Sequence, residues 1–267
     1  TLRRIEVPVL RSHQAPIRLL HISDLHMVPG QESKSEWVRS LATLSPDAVI
    51  ATGDFLSHQE GVPSALEALG PLMEFPGAFV LGSNDYYSPK PINPVKYFSG
   101  PSTITPTRQM LDWEPLAHGM SDNGWLDLTN TQVDWKVGGR LISVKGVDDP
   151  HIGRDDYAGI TKSFNEQAEL TLGVVHAPYL RVLDAMAADN AQLILAGHTH
   201  GGQVRIPGYG ALVTNCDLDT ARASGLSRHQ GSALHVSAGL GCSRYAPFRF
   251  ACPPEATLLT LTARADT

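Results

Sequence analysis

Short apolar runs recur along the first half of the chain, and each gives way to a polar or glycine-containing turn. Residues 17–22, 48–51 and 79–81 read as buried strands. Between them, residues 35–44 place Trp37, Val38, Leu41 and Leu44 on one helical face, and Pro46 stops the helix. Residues 63–73 open on proline and turn Leu66, Leu69 and Met73 inward, which predicts a second helix. Strand and helix alternate, as in a sheet with crossover helices. Residues 5–10 alternate weakly and suit an edge strand.

The proline-rich stretch 86–120 breaks this rhythm. It carries Tyr86, Tyr87, Tyr97 and Phe98 and is expected to be a surface excursion, or a lid over the strand ends. Beyond it, residues 133–137 and 141–147 flank Gly138-Gly139, a hairpin signal. A strand at 172–175, a helix at 178–187 and a strand at 192–196 restore the alternation. Strands at 204–206, 233–237 and 257–261 follow, joined by glycine-rich connections. The pattern predicts an α/β (α+β) protein in which a second, more antiparallel sheet packs on the first, with helices outside. The motifs below run from Asp24 to His200 without a break, so one domain spanning 1–267 is expected.

Five of the apolar runs end in residues that bind metals. Asp24 and His26 follow the first strand, Asp54 the second, and Asn84 and Asp85 the third. His176 follows the run 172–175, and His198-Thr199-His200 follows 193–196. The i, i+2 spacing of Asp24/His26 and of His198/His200 puts both side chains on one side of an extended backbone. Gly53, Gly82 and Gly197 adjoin the candidates and allow abrupt turns. Asp24, His26, Asp54, Asn84, His176, His198 and His200 exceed what one transition ion needs and suit two ions sharing a carboxylate bridge, for which Asp54 is chosen. Imidazole and carboxylate without thiolate fit Mn, Fe or Zn. Paired ions roughly 3.5–4 Å apart clamp phosphate oxygens and lower the pKa of water.

In this order the motifs resemble the calcineurin-like metallophosphoesterase superfamily. They are Asp24-Leu25-His26, Gly53-Asp54, Gly82-Ser83-Asn84-Asp85, Val175-His176 and Gly197-His198-Thr199-His200. The run from Gly197 to Gln203 is similar to a bacterial branch of general phosphohydrolases. The resemblance implies a four-layer α-β-β-α sandwich of two mixed sheets with a dinuclear metal site at the strand ends. It implies that Asp24, His26 and His200 hold one ion, that Asp54 bridges, and that Asn84, His176 and His198 hold the other.

The third motif departs from the family's usual Gly-Asn-His-Asp/Glu. A gapless match puts Ser83 at the ligand position and Asn84 at that of the catalytic histidine. A one-residue shift, preferred because an amide oxygen is the better neutral ligand, keeps Asn84 as ligand and makes Asp85 a candidate catalytic residue; either way the usual proton donor is missing. His58, four residues beyond Asp54 on the same loop, is the expected substitute, because imidazole titrates near neutrality. His151, beside Asp148-Asp149, is a weaker candidate. Arg244-Tyr245 could reach a substrate phosphate.

Composition adds exclusions. The 267 residues are 42% hydrophobic and carry a net charge of -6 with no Lys/Arg run, which argues against nucleic-acid binding. Three scattered cysteines form no metal or disulfide pattern. No apolar run reaches the ~18 residues of a transmembrane helix. The chain begins at Thr1, which leaves room for an upstream targeting or anchoring segment. The expectation is a cytoplasmic phosphohydrolase, most simply a phosphodiesterase, acting on a small-molecule or lipid-linked phosphoester, with peripheral membrane contact allowed. The competing reading is a metal-binding scaffold with little catalysis.

Overall fold

In the computed structural model, which describes residues 1–90, 108–242 and 244–264, each central strand feeds two cores at once. β1 (Leu2–Leu10) lies at an edge. In β2 (Ile17–Ile22), Ile17 and Leu19 point one way and Leu20 and Ile22 the other. β3 (Ala48–Thr52) and β4 (Gly77–Val80) repeat this, with Ala48, Ile50, Ala78 and Val80 opposite Val49, Ala51 and Phe79. The cause is the strand's two-residue period, which sends successive side chains to opposite faces.

β2, β3 and β4 pair in parallel, with Ile22 opposite Ala51 and Thr52 opposite Val80. Their carboxyl ends therefore open at one edge. The crossovers are α1 (Glu32–Ser40) and α2 (Val62–Leu69), each extended by a tight 3-10 turn. Val38, Ala65, Ala68 and Leu69 of these helices cover the outward face of the sheet. β5 (Leu126–Asp127) and β14 (Ala256–Ala263) complete it in the order β1-β14-β2-β3-β4-β5.

The second sheet uses β6 (Thr131–Val137), β7 (Arg140–Gly146), β8 (Leu170–Val174), β9 (Leu193–Ala196), β12 (Gly225–His229) and β13 (Ser232–Val236). Its order is β12-β13-β9-β8-β7-β6. As expected, this sheet is more antiparallel than the first, with two antiparallel pairs against one, but its centre is parallel. The pairs β7–β8, β8–β9 and β9–β13 are parallel, and the antiparallel hairpins occupy only the two margins. The β8–β9 crossover runs through α5 (Leu180–Ala188), whose Val182, Leu183 and Met186 cover Ile194, Val236 and Leu234. β10 (Arg205–Ile206) and β11 (Gly210–Ala211) form a separate small hairpin.

Between the sheets lie Leu19, Ile50 and Val80 from one side and Leu172, Val174 and Leu195 from the other, all fully buried. The result is the four-layer α-β-β-α sandwich. The stretch 86–120 is not all excursion. It follows α3 (Ser83–Tyr86) and contains α4 (Glu114–Asp122), which buries Leu116, Ala117 and Met120 beside α2. Tyr86 is core: its hydroxyl donates to Asp148 at 2.8 Å and its ring meets Trp113 edge-on. Tyr97 and Phe98 lie outside the described residues. Among those described, no helix is long and apolar enough to cross a membrane.

Gly77 opens β4 beneath Trp125, whose indole N–H donates to the Phe75 carbonyl at 3.2 Å. A Cβ at this position would overlap the indole itself. Gly77→Ala is expected to cost about 1–3 kcal/mol by overpacking, read as a lower urea midpoint. A wild-type midpoint would show that Trp125 is not seated there.

Candidate metal centre

The two sheets are stitched where their parallel strands end. Thr52 closes β3, and its carbonyl accepts from His176 Nδ1 at 2.6 Å, across from the other sheet. The backbone N–H of His198 donates to Asp24 Oδ2 at 3.1 Å in the opposite sense. The close approach requires glycine. A Cβ at Gly197 would overlap the Ser23 hydroxyl, and one at Gly82 would overlap the Asp54 carboxylate.

The backbone at these ends is left-handed, not extended. Asp24, His26, Asp54, His198 and His200 have φ of 52°, 47°, 55°, 69° and 51°. Non-glycine residues pay roughly 1–3 kcal/mol each for such conformations, which persist at sites that need them. In the last motif Thr199 is right-handed, with φ -71°, so the chain turns left, right and left again. The turns send His198 toward His176, with Nδ1 3.3 Å from its Nε2, and His200 toward His26, with the two Nε2 atoms 3.1 Å apart. The expected same-side pairing on an extended strand is thereby replaced by a divergence.

On the His200 side, Asp24, His26, Asp54 and His200 present one atom each, all within 4.8 Å of one another. His26 Nδ1 lies 2.9 Å from the Ser57 hydroxyl, and His200 Nδ1 lies 3.1 Å from the Gly241 carbonyl. Arg249 Nη2 also lies 3.3 Å from His200 Nδ1, so one neutral ring can share its Nε2 proton with the other, and a cation bound here would take that proton's place between the two nitrogens. Asp24 Oδ1 is buried here without a hydrogen-bond partner. Burial pushes Asp24 up to about 6, with the His176 charge opposing and the Asp54 charge adding. Burial draws His26 down to about 4 against the pull of Asp54, and holds His200 well below the ordinary value. The donor set thus fits a divalent cation.

The other side differs. Asp54 Oδ2 lies 3.5 Å from His176 Nε2 and 3.6 Å from His26 Nε2, and so touches both halves. Burial works against charging His176, but the Asp54 carboxylate overrides it, helped by Asp149 and Asp24, and holds this histidine well above its ordinary value. Since His176 Nδ1 donates to Thr52, its second proton sits on Nε2, between Asp54 Oδ2 and His198 Nδ1. His198 Nε2 in turn faces the Asn215 carbonyl at 3.2 Å. Asp54 thus favours a charged imidazole where a cation would otherwise compensate it. Asn84 closes this side: its backbone N–H donates to Asp54 Oδ1 at 2.8 Å and its amide lies 2.6 Å from Oδ2.

Not every expected residue joins the cluster. Asp85 is fully buried and accepts backbone N–H groups from Asp54, Leu56 and Gly82 at 2.9, 3.0 and 2.9 Å. Its oxygens organise the turn that carries Asp54 and do not face outward. Burial, reinforced by Asp54, pushes it up to about 8. His58 is half-buried, and its Nδ1 accepts the Glu60 N–H at 3.1 Å within its own loop. His151 instead packs its ring 4.6 Å from that of His198, with Nδ1 3.1 Å from the Tyr179 hydroxyl. Burial, then the His176 charge, brings His151 down to about 4. Arg244 and Tyr245 stand apart from the cluster, and the Tyr245 ring is exposed.

The cations nearest the cluster carry no sequence signal. Arg249 donates to the carbonyls of Gly241 at 2.6 Å and His200 at 3.3 Å. Lys34 Nζ donates to those of Leu25 and His26 at 2.7 and 3.1 Å. Arg108 is half-buried, and its charge acts on both Asp54 and His151. Each sits in an ordinary local pattern, and only the folded chain brings it near the strand ends.

Comparison with known proteins agrees with this geometry. The profile of the family described as calcineurin-like phosphoesterase matches residues 17–202. The Bacillus subtilis (strain 168) protein YpbG is 30% identical over 250 residues, covering 92% of this chain and 81% of its own. The metallophosphoesterase YkoQ of the same organism is 26% identical, covering 84% of this chain and 76% of its own. Among solved structures, TT1561 of Thermus thermophilus matches with a TM-score of 0.46 and 13% identity, over 84% of this chain and 90% of that one. With its motifs inside the matched segment and a relative aligned over nearly its whole length, the chain belongs to the calcineurin-like phosphoesterase family.

Proposed function

We propose that this metallophosphoesterase is a dinuclear phosphodiesterase. One observation carries the reading: Asp54 and six other buried or half-buried ligand-type side chains, from five strand ends in all, lie in one connected cluster. Asp24, His26 and His200 would hold one ion, Asn84, His176 and His198 the other, and Asp54 would bridge them. When bound, two such ions supply Lewis acidity toward phosphoryl oxygens and a water of lowered pKa; Mn, Fe or Zn suit the donors.

The chain's own residues do the rest. Asp85 fixes the Asp54 turn through three backbone N–H groups. Arg249 and Lys34 are committed to the carbonyls of the His200 and His26 loops, so they brace ligands and are not available to a phosphate. Arg108 is the cation offered to the substrate. One guanidinium matches the single charge of a diester better than the double charge of a monoester, which supports the diester preference. For the missing histidine, His151 has a stronger claim than His58 because its ring lies against His198. Burial holds the ring neutral, so with the Tyr179 hydroxyl on Nδ1 it would serve a substrate oxygen as a hydrogen-bond donor through Nε2. An imidazole at this position also removes the observation that favoured a scaffold without catalysis.

The substrate's other end is read from the surface. Ile206, Tyr209, Phe248 and Phe250 are 48%, 75%, 55% and 59% exposed. Their two loops are joined by the Arg205 N–H to Phe250 carbonyl bond of 3.0 Å, and Arg249 ties them to His200. Residues 203–211 and 244–252 carry three arginines and no Asp or Glu in a chain of net charge -6; Arg205 and Arg249 are tied to protein acceptors and add positive charge to the loops, and Arg244 is exposed. Aromatic rings with arginines suit an anionic lipid interface, which supports a lipid-linked phosphodiester and peripheral membrane contact.

Three outcomes follow. Adding Mn²⁺ to metal-free protein at pH 7 is expected to release about one proton, from His176 Nε2, because a ligating imidazole must be neutral on the atom that binds; calorimetry in buffers of different ionisation enthalpy reads this, and no release contradicts the protonated His176. An aryl phosphodiester is expected to be cleaved only with added metal, not at all by Asp54→Ala, and about 10²-fold more slowly by His151→Ala at unchanged metal content. Wild-type rates in His151→Ala with a loss in His58→Ala would return the role to His58. Vesicles containing anionic phospholipid are expected to co-sediment the protein, and the Phe248→Ser/Phe250→Ser double variant to stay in the supernatant; equal binding of both would remove these loops from the lipid reading.

A further inference from the structure

β7 lies parallel to β8, with Gly146 opposite Val174, and Val147 N–H donates to the Val174 carbonyl at 3.2 Å. Its carboxyl end therefore opens beside the end that carries His176. The next residues are Asp148 and Asp149, and the two aspartates have opposite environments. Asp148 is fully partnered, accepting from the Tyr86 hydroxyl at 2.8 Å, Arg154 Nε at 2.8 Å and the Asp149 N–H at 2.7 Å. Asp149 is 0% exposed. Its Oδ1 accepts the His151 N–H at 2.9 Å, while Oδ2 has no hydrogen-bond partner.

An unpartnered carboxylate oxygen in a dry interior is costly, and proteins keep one where something absent from the bare chain uses it. Among the described residues, two carboxylate oxygens are buried without a partner: Asp24 Oδ1 and Asp149 Oδ2. Asp24 faces the His200 half of the cluster. Asp149 lies toward the other half, since its charge acts on His176 and Asp54 and the His151 next to it in the chain packs on His198. The charge balance points the same way. The His200 half has Asp24 and a share of Asp54. The His176 half has a share of Asp54 and otherwise only Asn84, His176 and His198, none of which brings negative charge.

We propose that Asp149 is a further ligand, supplying Oδ2 to the ion held by Asn84, His176 and His198. It is the counterpart of Asp24, delivered by a sixth strand end. The inference rests on the two-ion reading above.

Asp149→Asn tests it, because the amide keeps an oxygen for the His151 N–H and removes only the charge. Metal-free wild type and variant are titrated with Mn²⁺ by calorimetry, their bound metal is counted by mass spectrometry after gel filtration, and their melting is followed with and without Mn²⁺. Wild type is expected to bind two ions. The variant is expected to bind one with unchanged affinity and the other about 10–100-fold more weakly. Metal-free, it should melt no lower than wild type, and Mn²⁺ should raise its melting temperature less. Two ions held as tightly by the variant as by wild type overturn the proposal and leave the two-ion reading standing. A metal-free variant that melts far lower or fails to fold makes Asp149 a structural carboxylate and overturns it too. A wild type that takes up a single ion overturns the two-ion reading and this inference with it.

Discussion

Asp54 holds a carboxylate at the seam between two sheets, 1% exposed and within 3.6 Å of imidazoles from both. A charge so placed has lost its water and must be compensated by protein groups or by bound cations. Much of the local structure serves that requirement. Asp85 gathers three backbone N–H groups so that the turn carrying Asp54 cannot relax. Gly82 clears space for the carboxylate, and Gly197 lets the two sheets approach. Five cluster residues accept left-handed backbone to point inward. Each of these devices costs stability in the bare chain, and the large apolar core between the sheets is what makes them tolerable.

The layout of this centre was legible because period and residue type report the same thing. A short apolar run followed by glycine and an Asp or His describes a buried strand that stops at a polar site, whether or not its neighbours are known. The i, i+2 spacing was legible as a motif but not as a geometry. An extended chain would send His198 and His200 to the same place, and their alternating left- and right-handed turns separate them. Helical packing of α4 was hidden because prolines dominate the stretch around it, and Glu114-Pro115 reads as a continued loop although proline suits a first helical turn.

What stayed illegible depends on long-range placement. Arg108 follows a proline-rich stretch with no periodicity, yet its charge reaches Asp54 and His151. His151 was the weaker candidate by sequence, and Asp149 does cap its N–H in an ordinary turn. The same turn lays the imidazole on His198, which requires β7 to lie next to β8. The antiparallel margins of the second sheet were legible because hairpins announce themselves locally, whereas its parallel pairs β7–β8 and β9–β13 join strands separated by long connections.

The two halves of the centre solve the same electrostatic problem differently. On the His176 side a proton on Nε2 bridges Asp54 and His198, so that half is internally compensated without any ion. On the His200 side the Nε2 atoms of His26 and His200 face each other at 3.1 Å, and Asp24 Oδ1 has no hydrogen-bond partner. Burial holds both imidazoles below the ordinary value, so this half carries no positive charge of its own and at most one shared proton between the two nitrogens. A cation entering the first half must displace the proton that Asp54 favours on His176, while one entering the second half meets two neutral rings and an unpartnered carboxylate oxygen. The asymmetry lies in the second partner of each ring. His176 Nδ1 is tied to a carbonyl and its Nε2 to a carboxylate, which together favour the charged imidazole, whereas His26 Nδ1 is tied to a serine hydroxyl and its Nε2 faces another imidazole. The same centre thus contains one half whose charge is compensated within the protein and one half with a buried carboxylate oxygen that is not.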